Sequence, residues 1–127
     1  PCSCSVYYVY DKELNLYIWT EPDTLHSKNI KENPRVAINI VDTNQKWGSN
    51  LTGLQALGNA SIIPPKELII AGTLYLKRFS KSSKFIKQIK DFHSKKLSSK
   101  LYKIKLEKIK ILDEEKFGKE EFKELKL

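Results

Sequence analysis

The stretch that most limits what this chain can fold into is "KLYKIKLEKIKIL", residues 100–112. Apolar and lysine residues alternate along it. As a β-strand it has one dry face and one wet face, because successive side chains point to opposite sides. The dry face runs Tyr102, Ile104, Leu106, then Ile109 and Ile111. The parity flips between Leu106 and Ile109, which predicts a bulge near Glu107–Lys108. Lys103, Lys105, Lys108 and Lys110 then share the wetter face.

The rest of the chain supplies neighbours for this strand. Residues 2–10, "CSCSVYYVY", alternate and are rich in strand formers. Val6, Tyr8 and Tyr10 fall on one face; Ser3, Ser5, Tyr7 and Val9 on the other. "DKEL" reads as a tight polar turn and "LNLYIWT" (14–20) as the returning strand, so the two predict a β-hairpin. A short helix follows, with Pro22 near its start, Asp23 as N-cap, and Leu25 and Ile30 as its buried stripe. "ENP" ends it, because the residue before a proline avoids the helical region. "RVAINIV" (35–41) and "LTGLQALGNASII" (51–63) are the third and fourth strands, joined by the loop "DTNQKWGSN". Gly53 and Gly58 suggest bulges or bends, as in a barrel wall.

"PPKELIIAGTLYLKRF" (64–79) predicts a helix with proline in its first turn. Its stripe is Leu68, Ala71 and Tyr75, widened by Ile70 and Leu74. "SSKFIKQIKDFHSKKL" (82–97) predicts another, with Phe85, Ile89 and Phe92 at helical spacing. The charged tail from Glu114 docks through Phe117, Phe122 and Leu125. The order β-β-α-β-β-α-α-β-α, without internal repeats, predicts a mainly β fold with peripheral helices (α+β). The expected form is a small closed or half-open antiparallel barrel.

Length and composition restrict function more than they specify it. The 127 residues suit one domain, and 40% apolar with 30% charged residues is enough for a packed core. No apolar run approaches the ~20 residues of a membrane span, and the N-terminus lacks the basic region of a signal peptide. The expectation is a cytoplasmic protein. The net charge of +8 is uneven: residues 1–60 carry −1 and residues 61–127 carry +9. A basic half can face nucleic acid, but only Arg35 and Arg78 are arginine, the residue that reads bases and phosphates with two prongs. A lysine-coated surface is the simpler reading. Cys2 and Cys4 form C-x-C, too few ligands to specify a metal with only His26 and His93 to add. No metal site is expected.

No phosphate-binding glycine loop, G-x-S-x-G or H-E-x-x-H is present. Two histidines leave little room for a histidine-based triad, so any reactive chemistry belongs to a cofactor. The best candidate site is the helix start at residues 23–28. Exposed N–H groups and the helix dipole favour an anion there. Thr24 and Ser27 offer hydroxyls, His26 and Lys28 charge. The plain alternative is a capped helix start that binds water. Tyr7, Tyr8, Tyr10, Tyr17 and Trp19 make an aromatic hairpin, either core packing or a stacking surface for a ring or base.

On "SVYYVYD", "LYIWTEPDTLHSKNIKENPRVAINI", "LTGLQALGNASI", "LYLKRF" and "LYKIKLEKIKILDEEKFGK", the chain resembles the pyridoxamine 5'-phosphate oxidase-like superfamily. These are the FMN-binding split barrels, and the likeness is to their small bacterial branch. The T-x-x-x-T-x-H-x-x-N run leading to N-P-R-V-A carries much of it. The resemblance implies a homodimer with FMN in two clefts at the interface, acting as a flavin-dependent oxidoreductase. It implies Cys4, Ser5, Val6 and Tyr7 along the flavin ring, Trp19 and Thr20 at the end of the next strand, and Thr24, Leu25 and His26 at the phosphate. Leu25 and His26 stand where the oxidases have two cations; Lys28, or a lysine of the partner subunit, compensates. The family's N-terminal helix and first strand are absent from this chain. Residues that hold the substrate phosphate of true oxidases have no match, so vitamin B6 synthesis is not implied. Some split-barrel relatives bind or degrade haem, which would make His26 or His93 a ligand. A nucleic-acid-binding domain is the third reading.

Overall fold

The computed structural model describes residues 1–79 and 100–127; the helix expected over 82–97, with His93, lies outside the described residues. The described chain is a mainly antiparallel β-sheet with a few helices, an α+β fold. Its elements are β1 (Tyr8–Tyr10), β2 (Leu16–Trp19), α1 (Leu25–Glu32), β3 (Arg35–Val41) and β4 (Thr52–Ile62). A 3₁₀ turn (Pro65–Glu67) leads into α2 (Leu68–Arg78), and then come β5 (Leu101–Asp113), α3 (Glu114–Phe117) and β6 (Phe122–Lys126). The chain divides into two compact units, Pro1–Pro34 with Ala60–Lys105, and Arg35–Asn59 with Leu106–Leu127. No helix among the described residues is long and apolar enough to cross a membrane.

In the first unit β1 pairs with β2, placing Tyr8 opposite Ile18 and Tyr10 opposite Leu16. β2 in turn pairs with β5, Ile18 opposite Tyr102. The hairpin turn is organised by one carboxylate. Asp11 Oδ1 accepts from the N–H groups of Glu13 and Asn15, both at 2.9 Å, and Oδ2 accepts from Asn15 Nδ2 at 2.9 Å and Tyr17 OH at 3.0 Å. Desolvation pushes the Asp11 carboxyl up, but these donors, led by Asn15, outweigh it and hold the pKa below its ordinary value. Leu14 closes the turn in the left-handed region at φ 63°.

Val9, Tyr17 and Leu101 form a buried patch on which α2 lays Leu68, Ala71 and Tyr75, the stripe expected from its helical spacing. Burial of each large apolar side chain here stabilises by roughly 1.5–3 kcal/mol. Tyr75 ties helix to hairpin: its OH lies 3.1 Å from the Tyr7 carbonyl and 3.2 Å from that of Tyr17. Burial pushes the Tyr75 phenol up to about 12. Ile70, expected to widen the stripe, is exposed.

Two boundaries differ from the sequence reading. The first strand is Tyr8–Tyr10 rather than residues 2–10. Its partner β2 ends at Trp19 because the chain then turns into α1, and Thr20 gives its N–H to Lys100 O at 2.8 Å. Little of β2 is left to pair with residues before Tyr8. The helix cap is Thr24, not Asp23: Thr24 is extended (φ −71°, ψ 155°) and its hydroxyl accepts from Ser27 N at 3.3 Å. Leu25, expected to be buried, is 63% exposed, and the buried residue of α1 is Ser27. Hydrogen bonds rather than apolar contacts seat this first turn. The helix does end at "ENP", where Asn33 N–H bonds Asn29 O.

In the second unit β3 and β4 pair in unbroken register from Arg35 opposite Asn59 to Val41 opposite Gly53. Neither Gly53 nor Gly58 therefore marks a bulge in this ladder. Close approach explains Gly53, since a Cβ there would lie 3.3 Å from Ile40 O. Along β5 the buried residues shift from Leu106 to Ile109, the parity flip that the alternation required. The tail holds a further strand where a closing helix was expected. β6 pairs with β5, Leu125 opposite Ile109. Gly118, at φ 101°, stops α3 after one turn. The tail docks by backbone pairing, which leaves Phe122 and Leu125 substantially exposed.

Candidate functional site

The helix start gathers the motif residues around one imidazole nitrogen. His26 Nε2 is hydrogen-bonded to the Thr20 hydroxyl and lies 3.1 Å from the Thr24 hydroxyl. Thr20 comes from the end of β2, Thr24 from the helix cap, and His26 from the first turn. Spacings of four and two residues thus meet at a single point because the chain reverses between β2 and α1.

The remaining hydroxyl chemistry is internal. Ser27, fully buried, donates from Oγ to Glu21 O at 2.8 Å. Thr24 Oγ1 lies 2.9 Å from both Glu21 O and Ser27 Oγ. A hydroxyl has one proton, so Thr24 can serve only one of these acceptors at a time. What this turn still offers outward is backbone. The N–H groups of Leu25 and His26 open the helix and have no intrahelical acceptor, and the dipole makes this end positive. The exposed Lys28 side chain leaves α1 one turn after the cap.

The segment before β1 passes this helix. Asn29 Nδ2 donates to Cys2 Sγ at 3.4 Å. Asn29 is the last residue of the T-x-x-x-T-x-H-x-x-N run, and its side chain tethers the N-terminal segment to α1. Cys2 and Cys4 are free and exposed. Desolvation, with the neighbouring Cys2, pushes the Cys4 thiol up. Cys4, Ser5 and Val6 are exposed and outside any strand, and Tyr7 is 77% exposed with its ring edge on Phe79 at 5.3 Å. Trp19 packs against the α2 core as well as ending β2.

The structure therefore brings Thr20, Thr24 and His26 together, with Ser27 and the Glu21 carbonyl. Lys28 joins that cluster through its backbone, whose N–H bonds Thr24 O at 3.0 Å, while its side chain is exposed; Cys4–Tyr7 lies outside any strand. No group of three or more His, Cys, Asp or Glu residues among those described could hold a metal. A second feature joins the hairpin tyrosines, expected either as core packing or as a stacking surface, to residues of α2. An open groove of about 510 Å³ is lined by Tyr8, Val9, Tyr10, Leu74, Lys77 and Arg78, away from the His26 cluster. The aromatic spacing on the hairpin was the signal for it; the cations arrive from α2, which only the fold reveals.

Neither a protein-family model nor a curated protein sequence matches the chain. Solved structures match in fold. A heme binding protein from Mycobacterium smegmatis superposes with a TM-score of 0.69 at 15% identity, over 95% of this chain and 45% of its own. A protein of unknown function from Agrobacterium tumefaciens gives 0.66 at 19%, over 84% and 42%. A conserved hypothetical protein from Mycobacterium tuberculosis gives 0.67 at 16%, over 91% and 71%. The chain spans less than half the length of the first two. At these identities the likeness is one of fold.

Proposed function

We propose that the chain is one split-barrel domain that binds FMN and serves as a flavin-dependent oxidoreductase. The observation that carries this reading is the convergence of Thr20, Thr24 and His26 at the start of α1. The residues fit the phosphate half of the cofactor. Two backbone N–H groups, a helix dipole and Lys28 are suited to a dianion. The hydroxyls fix the imidazole beside them. The ring half is suited by Cys4–Tyr7, an exposed stretch outside any strand. The flavin would supply hydride or electron transfer at its ring, and the protein would grip and orient it.

A second copy of the chain fits the same reading. In the second unit, Val36, Ile38, Ile40 and Leu54 are only part-buried, and Val41, Leu51 and Leu57 are exposed. So much apolar surface on one small unit suits a partner subunit. Haem is the second reading, supported by the heme binding protein among the fold neighbours. Against it, His26 Nε2 is already engaged by two threonines, and iron would have to displace them.

Titration of the purified protein with FMN and with riboflavin, read by flavin fluorescence, tests the proposal. Saturable FMN binding at least about tenfold tighter than riboflavin is expected, since a phosphate grip worth 1.4 kcal/mol gives that ratio. Equal affinities would remove the helix start as a phosphate site, and a Soret band with no flavin binding would favour haem.

A further inference from the structure

The cluster at His26 makes no use of the outer tyrosines of the hairpin. Tyr8 and Tyr10 are two residues apart and share a face of β1, and Tyr10 is 56% exposed. β1 is the end strand of its sheet among the described residues. Beside it runs the groove of about 510 Å³, whose other wall is Leu74, Lys77 and Arg78 of α2. That size lies within the roughly 300–1,000 Å³ of small-molecule sites.

The groove has a chemical bias. Among the described residues its lining holds two cations and no carboxylate. The Arg78 guanidinium carbon sits 4.3 Å from the centre of the Tyr8 ring and 5.3 Å from that of Phe79. A guanidinium held over a ring face in this way keeps N–H donors with which to bind phosphate. No ion pair among the described residues involves Lys77 or Arg78. A cation near a helix C-terminus is common, because it complements the dipole. That alone does not place Arg78 over the Tyr8 ring of the end strand, in a groove that Tyr10 also lines.

We propose that this groove is a mononucleotide site, with the base stacked on Tyr10 and the phosphate held by Arg78 and Lys77. The site stands apart from the FMN reading, since it uses different residues. AMP is the probe, with adenosine and inorganic phosphate as its two halves. Isothermal titration of the full chain should show saturable AMP binding at least about tenfold tighter than either half. Arg78→Gln should weaken AMP by about tenfold or more, and Tyr10→Ala by roughly fivefold or more, the lower end of base–aromatic stacking. Lys126→Gln, which removes one exposed charge in the other unit, should change it less than about twofold, as expected of a surface charge outside the groove lining. Absence of AMP binding overturns the proposal. So does AMP binding no tighter than phosphate, which is attraction to a basic surface, or equal losses in Arg78→Gln and Lys126→Gln. Circular dichroism checks folding. If Arg78→Gln is unfolded, Tyr10→Ala decides, because an exposed ring can be removed with little effect on the core. Failure of FMN to bind leaves all these outcomes readable.

Discussion

Replacing Asp11 with alanine tests whether one carboxylate sets the β1–β2 hairpin, which carries Tyr8, Tyr10 and Trp19. Four donors converge on it: two backbone N–H groups, Asn15 Nδ2 and Tyr17 OH. Water can replace the carboxylate for exposed donors. It cannot easily do so for Asn15 and Tyr17, which are 6% and 2% exposed. A buried donor left unpaired costs about 1–3 kcal/mol, so the three that Asn15 and Tyr17 carry set the loss for Asp11→Ala at about 3 kcal/mol or more. Tyr17→Phe removes one donor together with its need for a partner and should cost only about 1 kcal/mol. In a double-mutant cycle by urea denaturation, the pair should then show a coupling of about 1 kcal/mol. The pH dependence follows from the same geometry. The folded pKa of Asp11 is depressed, so its contribution is fully present above the unfolded value near 4 and is lost as pH falls through the folded pKa. Asp11→Ala should flatten that acid limb. A loss under about 0.5 kcal/mol, the level of an ordinary surface change, would refute the reasoning.

Other substitutions probe separate joints. Ala71 has no exposed surface under α2, so Ala71→Leu should overpack the helix–sheet contact and cost about 1–3 kcal/mol by thermal or urea unfolding. Leu14 holds φ 63°, where asparagine is better tolerated; Leu14→Asn should raise stability by about 0.5 kcal/mol in the same assay. Thr24→Ala should lose about 1 kcal/mol of cap stability, and Thr24→Ser most of that less, as read from denaturation midpoints.

Where the chain announced its fold, it did so through alternation and through proline. The β3 limits follow from "NP" on one side and "DTN" on the other, and β5 with its change of parity is written in its lysines. What stayed hidden depended on partners distant in sequence. "CSCSVYY" has strand chemistry throughout, yet a strand needs something opposite it, and β2 stops at Trp19. Leu25 looked like a core residue by type. Ser27 is the one buried, because the turn is seated by its hydroxyl on Glu21 O. The tail read as amphipathic docking and instead pairs as β6 through its backbone. Of the site, the hydroxyl–imidazole group was visible as a cluster in sequence. Its internal bonding was not, and neither was the meeting of Lys77 and Arg78 with the hairpin tyrosines.

The most direct test of the account is FMN affinity in the Thr24→Ala, His26→Ala double variant, set against riboflavin affinity in the same protein. If the start of α1 grips the phosphate, FMN binding should weaken by about tenfold or more, the equivalent of 1.4 kcal/mol, while riboflavin binding stays within about twofold. Equal weakening of the two, or none, would contradict it.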